Sequence, residues 1–177
     1  WGHGPMDFVT GLTCVKCRAT YDSRKVEYTC PAGGDEGILD VGYDYARLRR
    51  HLDRDILEQR SDRRHWRYRE LLPIPPEAEV PDVFVGGTPM YPVPRLARSV
   101  GLDDLWLKDD GRNPTHSFKD RASSVGAVRA KAQGASTIAC ASTGNLAASV
   151  AAHAAKANLK AYVFIPSGLE TGKLVGI

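Results

Sequence analysis

Asn113-Pro114-Thr115-His116-Ser117-Phe118-Lys119-Asp120-Arg121 is the stretch on which the reading of this chain turns. Asn113 and Pro114 make a turn, and Thr115 or Ser117 can cap a helix that follows. Lys119 then falls in the first helical turn, where the positive end of the helix dipole disfavours a cation. A neutral lysine amine is the form that attacks an aldehyde to make a Schiff base, so the position suits an imine-forming lysine. A surface lysine paired with Asp120 is the competing reading of the same residues.

Outward from this stretch the apolar period switches repeatedly. Leu105-Trp106-Leu107 reads as a strand. Residues 117–133 follow with helical periodicity, with Phe118, Ala122, Val125, Val128 and Ala132 on one face and Gly134 as the stop. Residues 137–141 are a second strand, the alanine-rich residues 146–157 a second helix, and residues 161–165, ended by Pro166, a third strand. Strand, helix, strand, helix, strand predicts an α/β fold with a parallel sheet and flanking helices. Between the second strand and second helix lies Ser142-Thr143-Gly144-Asn145. Such a loop presents backbone N–H groups and a positive helix end, and its small residues let an anion approach closely. A substrate carboxylate suits these donors, although many α/β folds place a glycine turn here for connection alone.

Upstream of residue 95 the character differs. Residues 41–94 read as a polar, helical arm followed by a linker dense in proline, from Pro73 to Pro94, that forbids a long helix. Between Arg47 and Glu70 nine arginines face five acids, whereas the rest of the chain holds fifteen basic and sixteen acidic residues. The basic excess is therefore local. It reads as a solvated arginine-rich helix rather than a nucleic-acid patch, because Asp53, Asp55, Glu58 and Asp62 cancel much of its pull on phosphates.

Residues 6–40 hold three of the four cysteines and β-leaning runs such as Val26-Glu27-Tyr28-Thr29. Cys14-x-x-Cys17 followed by Cys30 opens like a zinc ribbon, which needs four ligands. The expected fourth position is Gly33, and the other candidate, His3, belongs to residues 1–5, which read as an appended scar ahead of Met6. The ribbon-like unit is expected to be degenerate, to fold without metal and to hold no zinc; Cys140 is expected to pack in a buried strand. So few cysteines do not make a secreted disulfide scaffold, and a reduced, cytoplasmic setting is expected. No apolar run approaches the roughly 20 residues of a membrane span, and no signal peptide is legible.

The lysine segment closely resembles the cofactor-lysine signature of the threonine synthase branch of fold-type II pyridoxal-phosphate enzymes. Three further segments resemble the same family in the same order: Gly86-Gly87-Thr88-Pro89-Met90-Tyr91, Ala141-Ser142-Thr143-Gly144-Asn145-Leu146-Ala147 and Tyr162-Val163-Phe164-Ile165-Pro166. The likeness runs from about Leu12 to the end of the chain. It implies that Lys119 carries pyridoxal 5'-phosphate covalently and shuttles protons, with Phe118 beside it in the cofactor site. It implies that Ser142, Thr143, Gly144 and Asn145 bind the substrate carboxylate and that Asn145 also contacts the cofactor's ring oxygen. The family often has Gly at His116, so His116 is expected to have a local packing or hydrogen-bonding role. Related enzymes often carry a complete four-cysteine ribbon, from which Gly33 departs.

The implied reaction converts O-phospho-L-homoserine and water to L-threonine and phosphate, in a homodimer without nucleic-acid or membrane partners. Cysteate synthase and threonine dehydratase-like enzymes share the lysine chemistry and are the rivals within the class; a non-catalytic basic binding module is the rival outside it. Gly168 and Gly172 are too isolated to form a phosphate cradle. In the resembled family that loop lies downstream of the segment matched by Ile177, so the C-terminal half is expected to be absent and these 177 residues to be inactive alone.

Overall fold

The computed structural model describes residues 8–25, 28–168 and 172. The expectations placed on residues 1–5, His3 among them, and on Val26-Glu27 lie outside these. By its contacts the chain divides into two compact units, residues 1–61 with 67–78, and residues 62–66 with 79–177.

The first unit is built on a three-stranded antiparallel sheet in the order β2-β1-β3. The strands are β1 (Val9–Cys14), β2 (Thr20–Tyr21) and β3 (Leu39–Tyr43). Leu12 stands opposite both Tyr21 and Val41. Gly11 takes φ +146°, and a Cβ there would meet the Tyr21 carbonyl oxygen at 2.8 Å, so the close pairing of β1 with β2 requires glycine. Phe8, Leu12, Cys14, Cys30, Leu48 and Ile74 are buried. Tyr28 and Thr29 form a bend, not the expected strand.

The helical arm expected after residue 41 is broken into short pieces. Asp44 accepts from the Arg47 N–H to start α1 (Tyr45–Leu48), and Asp53 accepts from the Ile56 N–H to start α2 (Arg54–Gln59). Each side-chain cap satisfies N–H groups that a continuous helix would have turned inward, so the chain restarts rather than continues. Arg47, Arg49, Arg50, Arg54 and Arg63 are exposed, as a solvated face requires, but they do not share one helix and others are engaged. Arg60 forks onto Glu70, and Arg69 donates to the carbonyls of Pro75 and Ala78.

In the second unit β4 (Met90–Pro92) pairs antiparallel with β5 (Trp106–Lys108) around α3 (Pro94–Ser99), which Pro94 opens. Then come α4 (Lys119–Ala132), β6 (Thr137–Ala141), α5 (Asn145–Lys156) and β7 (Lys160–Phe164). β6 and β7 are parallel, from Thr137 opposite Lys160 to Ala141 opposite Phe164. Gly134, at φ +80°, ends α4 as expected: its N–H donates to the Lys131 carbonyl and that of Ala135 to the Ala130 carbonyl.

Three expectations are corrected. The strand at residues 105–107 does not join the parallel sheet, which among the described residues has two strands; three residues long, β5 finds its backbone partners in β4. The core face of α4 is also differently phased. Phe118 and Ala122 are exposed, while Asp120, Ser123, Ser124, Ala127 and Val128 are buried; α5, which packs on this helix, buries Ala147, Ser149, Val150, His153 and Ala154. Both faces are small or polar, so the helices meet through hydrogen bonds and close backbone approach, which apolar periodicity cannot reveal. Finally, Cys140 is only half-buried, because β6 and β7 carry mostly exposed side chains.

Candidate active site

The turn that opens α4 forms as its residues dictate. The His116 N–H donates to the Asn113 carbonyl, and the Ser117 hydroxyl accepts from the Lys119 N–H. His116 sits at φ +56°. That left-handed conformation is one glycine adopts freely and other residues adopt uncommonly. Its ring nitrogen Nδ1 lies 3.1 Å from the Gly111 carbonyl, a local hydrogen-bonding role.

Lys119 is the first residue of α4, half-exposed, with Nζ 4.6 Å from the centre of the Phe118 ring. Among the described residues no carboxylate lies within ion-pair distance of it. Asp120 is no partner, because it turns the other way and is fully buried. Its Oδ1 accepts from the Thr115 hydroxyl (2.8 Å), the Ser149 hydroxyl (2.7 Å) and lies 3.1 Å from His153 Nε2; its Oδ2 accepts from the Thr115 N–H at 2.8 Å. Burial opposes the charge of Asp120, but these hydrogen bonds, with Ser149 first, outweigh it and hold the carboxyl below its ordinary range. Lys119 and Asp120 are thus neighbours in sequence with opposite duties. The carboxylate clamps the lysine's turn to α5, and the amine is left without an anionic partner.

Sequence reasoning missed this clamp. Its signal was present in Ser149 and His153, two polar residues four apart within an alanine-rich helix, a spacing that puts both on one face.

A second network supports the same turn. Arg121 donates from Nε to Asp110 Oδ2 and from an Nη to Asp110 Oδ1, each at 2.8 Å, and the Thr88 hydroxyl donates to Asp110 Oδ1 at 2.6 Å. The Arg121 guanidinium, with help from Thr88, holds the Asp110 carboxyl down to about 2. Asn113, buried, accepts from the Gly86 N–H at 3.0 Å and donates to the Asp110 carbonyl. Gly86 (φ +85°) cannot carry a side chain here, since a Cβ would stand 2.8 Å from the His65 nitrogen. The Gly86-to-Tyr91 segment and the lysine segment, far apart in sequence, are therefore one structural element. His65 is buried with Nε2 3.2 Å from the Ser124 hydroxyl; burial first, then the charge of Arg121, lowers it to about 4.

The loop of Ser142, Thr143, Gly144 and Asn145 connects β6 to α5 as expected. Gly144 is the N-cap and Asn145 the first helical residue. Ser142 is half-buried and the other three are exposed; the Ser142 hydroxyl accepts from the Gly144 N–H at 3.3 Å. A Cβ at Gly144 would meet nothing within 4 Å, so the approach to the helix end is open. A lysine amine free of carboxylates, and an open helix N-terminus reached through Asp120 and α5, suit an aldehyde cofactor that also carries anionic groups.

In the other unit, the sulfurs of Cys14, Cys17 and Cys30 lie within 4.8 Å of one another. Among the described residues this is the group of side chains that could hold a metal ion.

Comparison with known proteins agrees with this chemistry. Residues 82–177, more than half of the chain, match the family described as pyridoxal-phosphate dependent enzyme, and the chain belongs to that family. Relatives carry a narrower name. The chain is 40% identical over 162 residues to a threonine synthase of Methanocaldococcus jannaschii, covering 91% of this chain and 39% of that one. It is 41% identical over 157 residues to a threonine synthase of Methanosarcina acetivorans (89% and 37%), and 44% identical over 109 residues to one of Synechocystis (60% and 28%). The chain thus spans about two fifths of the length of the first of these relatives. Among the described residues no helix is long and apolar enough to cross a membrane.

Proposed function

We propose that this chain supplies the cofactor-lysine and substrate-carboxylate half of a threonine synthase, which converts O-phospho-L-homoserine and water to L-threonine and phosphate. The observation that carries the reading is the division of labour between Lys119 and Asp120. The carboxylate beside the lysine is spent on Thr115, Ser149 and His153, so the amine is not tied up in an ion pair with it.

When bound, pyridoxal phosphate supplies an electron sink for negative charge next to the amino-bearing carbon. Lys119 holds it, and afterwards moves protons at the substrate's α and β carbons. Phosphate departs from the γ carbon and water adds at the β carbon. Ser142, Thr143, Gly144 and Asn145 orient the substrate through its carboxylate at the start of α5. Asn145 and Phe118 also face the cofactor. The reading extends to a homodimer in the cytoplasm and to a ribbon-like unit over residues 6–40, ahead of a segment at 41–94 and the α/β domain at 95–177.

The test uses protein at the length of the relatives. Phosphate release is measured with O-phosphohomoserine and with phosphoserine, for the native protein and Lys119→Ala. The proposal requires release from phosphohomoserine and its loss, together with the visible absorbance of the bound cofactor, in Lys119→Ala. Preference for phosphoserine would assign a different enzyme of the same class. The 177-residue chain alone is expected to bind the cofactor weakly and to turn nothing over; steady threonine production from it would refute the division into halves.

A further inference from the structure

The cysteine cluster in the first unit is not used by the lysine chemistry, and its geometry goes further than its sequence. Two tight turns face each other there. In the first, the Cys17 N–H donates to Cys14 Sγ at 3.4 Å, the Arg18 N–H donates to the Cys14 carbonyl at 3.0 Å, and Arg18 takes φ +61°. In the second, the Gly33 N–H donates to Cys30 Sγ at 3.1 Å, the Gly34 N–H donates to the Cys30 carbonyl at 3.0 Å, and Gly34 takes φ +61°. The two turns thus share two of their closing hydrogen bonds and a left-handed residue, with Gly33 standing where Cys17 stands; the second adds a bond from the Gly33 N–H to the Cys30 carbonyl at 3.1 Å. N–H groups aimed at a sulfur favour the thiolate, which is the metal-binding form of cysteine.

The three sulfurs are already gathered. Cys17 and Cys30 Sγ are 3.5 Å apart, and all three lie within 4.8 Å. A tetrahedral ion with metal–sulfur bonds of about 2.3 Å needs sulfurs about 3.8 Å apart, so closure asks for movements of an ångström or less. Cys14 and Cys30 are buried and Cys17 is exposed, which leaves an approach from solvent. The fourth side is Gly33: a Cβ built on it would lie 3.3 Å from Cys14 Sγ, in the sulfur cluster itself.

We propose that Cys14, Cys17 and Cys30 form an open three-thiolate site for a thiophilic divalent ion of the zinc type, whose fourth ligand comes from solution because Gly33 supplies none. The sequence argued for a metal-free ribbon from ligand count. The paired turns argue otherwise, since three gathered cysteine sulfurs and one exchangeable position also complete a tetrahedron. The site differs in kind from a closed four-cysteine ribbon: its ion stays accessible to small thiols or imidazole.

Cobalt(II), which reports thiolate ligation through its absorbance, tests this on the reduced 177-residue chain. One equivalent is expected to bind with a sulfur-to-metal charge-transfer band, and zinc is expected to displace it. Adding imidazole or a small thiol should shift the ligand-field bands. Exposed Cys17→Ser should weaken binding by about a hundredfold or more, beyond the 10- to 100-fold typical of losing an outer-shell partner. Gly33→Cys should tighten binding at least about tenfold and abolish the shift with added thiol, by closing the fourth position. Gly33→Ala controls for the crowding of a side chain against Gly37 Cα, 3.0 Å from the new Cβ, and should not tighten binding. Absence of a charge-transfer band in the native chain, binding indifferent to Cys17→Ser, bands unmoved by added ligand, or a Cys17–Cys30 disulfide formed in preference to metal uptake would each overturn the proposal.

Discussion

Replacing Asp120 tests whether the clamp between the lysine turn and α5 holds the second unit together. Asp120 is fully buried and receives the Thr115 N–H, the Thr115 and Ser149 hydroxyls, and His153 Nε2 on its two oxygens. Removing one member of a buried, hydrogen-bonded charged group costs about 3–5 kcal/mol, because its partners are left desolvated and unpaired. Asp120→Ala is therefore expected to lose about 4 kcal/mol.

Asp120→Asn is a finer probe. Of the four partners, only the Thr115 N–H is a donor that cannot reverse. The two hydroxyls can turn to accept, and a neutral imidazole can present an unprotonated Nε2. An asparagine with its oxygen toward Thr115 N–H can satisfy most of the site, losing the charge and one contact. Its expected cost is about 1–2 kcal/mol. The assay is equilibrium urea unfolding of the 177-residue chain, followed by a probe in the second unit, at pH 7 with the slope held common. An Asp120→Ala cost below about 1 kcal/mol, or equal costs for Ala and Asn, would refute the argument, because the clamp would then be neither tight nor built on reversible donors.

The remaining predictions follow from the same geometry. His65 has a folded value of about 4 against 6.5 unfolded, so it folds as the neutral form. Its contribution is present above pH 6.5 and is lost as pH falls toward 4, by about 3 kcal/mol in all at 1.36 kcal/mol per unit; urea midpoints measured from pH 7.5 to 4 should fall across that window, and by less in a His65→Gln variant. Asp110, held at about 2, acts lower: its contribution is intact above pH 3.8 and disappears as pH falls through 2, so Asp110→Asn should flatten the acid limb of the same titration. Gly86→Ala should destabilise the chain by about 1–3 kcal/mol, since a Cβ there would meet the His65 nitrogen and φ is positive; thermal unfolding reads it, and a neutral effect would contradict the close approach. His116→Gly should be within about 1 kcal/mol of native, the relief of a left-handed φ offsetting the lost contact to Gly111.

What sequence alone determined here was local chemistry and its order along the chain. The turn at Asn113-Pro114, the stop at Gly134 and the glycine-containing turn from Ser142 to Asn145 rest on interactions between near neighbours, and so were legible. So was the lysine's place at a helix start.

The tertiary structure decided matters that depend on partners distant in sequence. Apolar periodicity chose the wrong face of α4, because that helix buries Asp120, which binds Ser149 and His153, and Ser124, which binds His65, and polar residues satisfied by distant partners leave no hydrophobic signature. The antiparallel home of Trp106–Lys108 depended on Met90–Pro92, fourteen or more positions upstream. The spacing after Cys30 already pointed to Gly33 as the counterpart of Cys17; what folding added was that both turns aim an N–H at their first cysteine's sulfur and bring the three sulfurs together. Lys119 was legible as an amine at a helix start. Its freedom from Asp120 was a property of the packed helices, since four donors from outside the lysine's own side chain had first to claim that carboxylate.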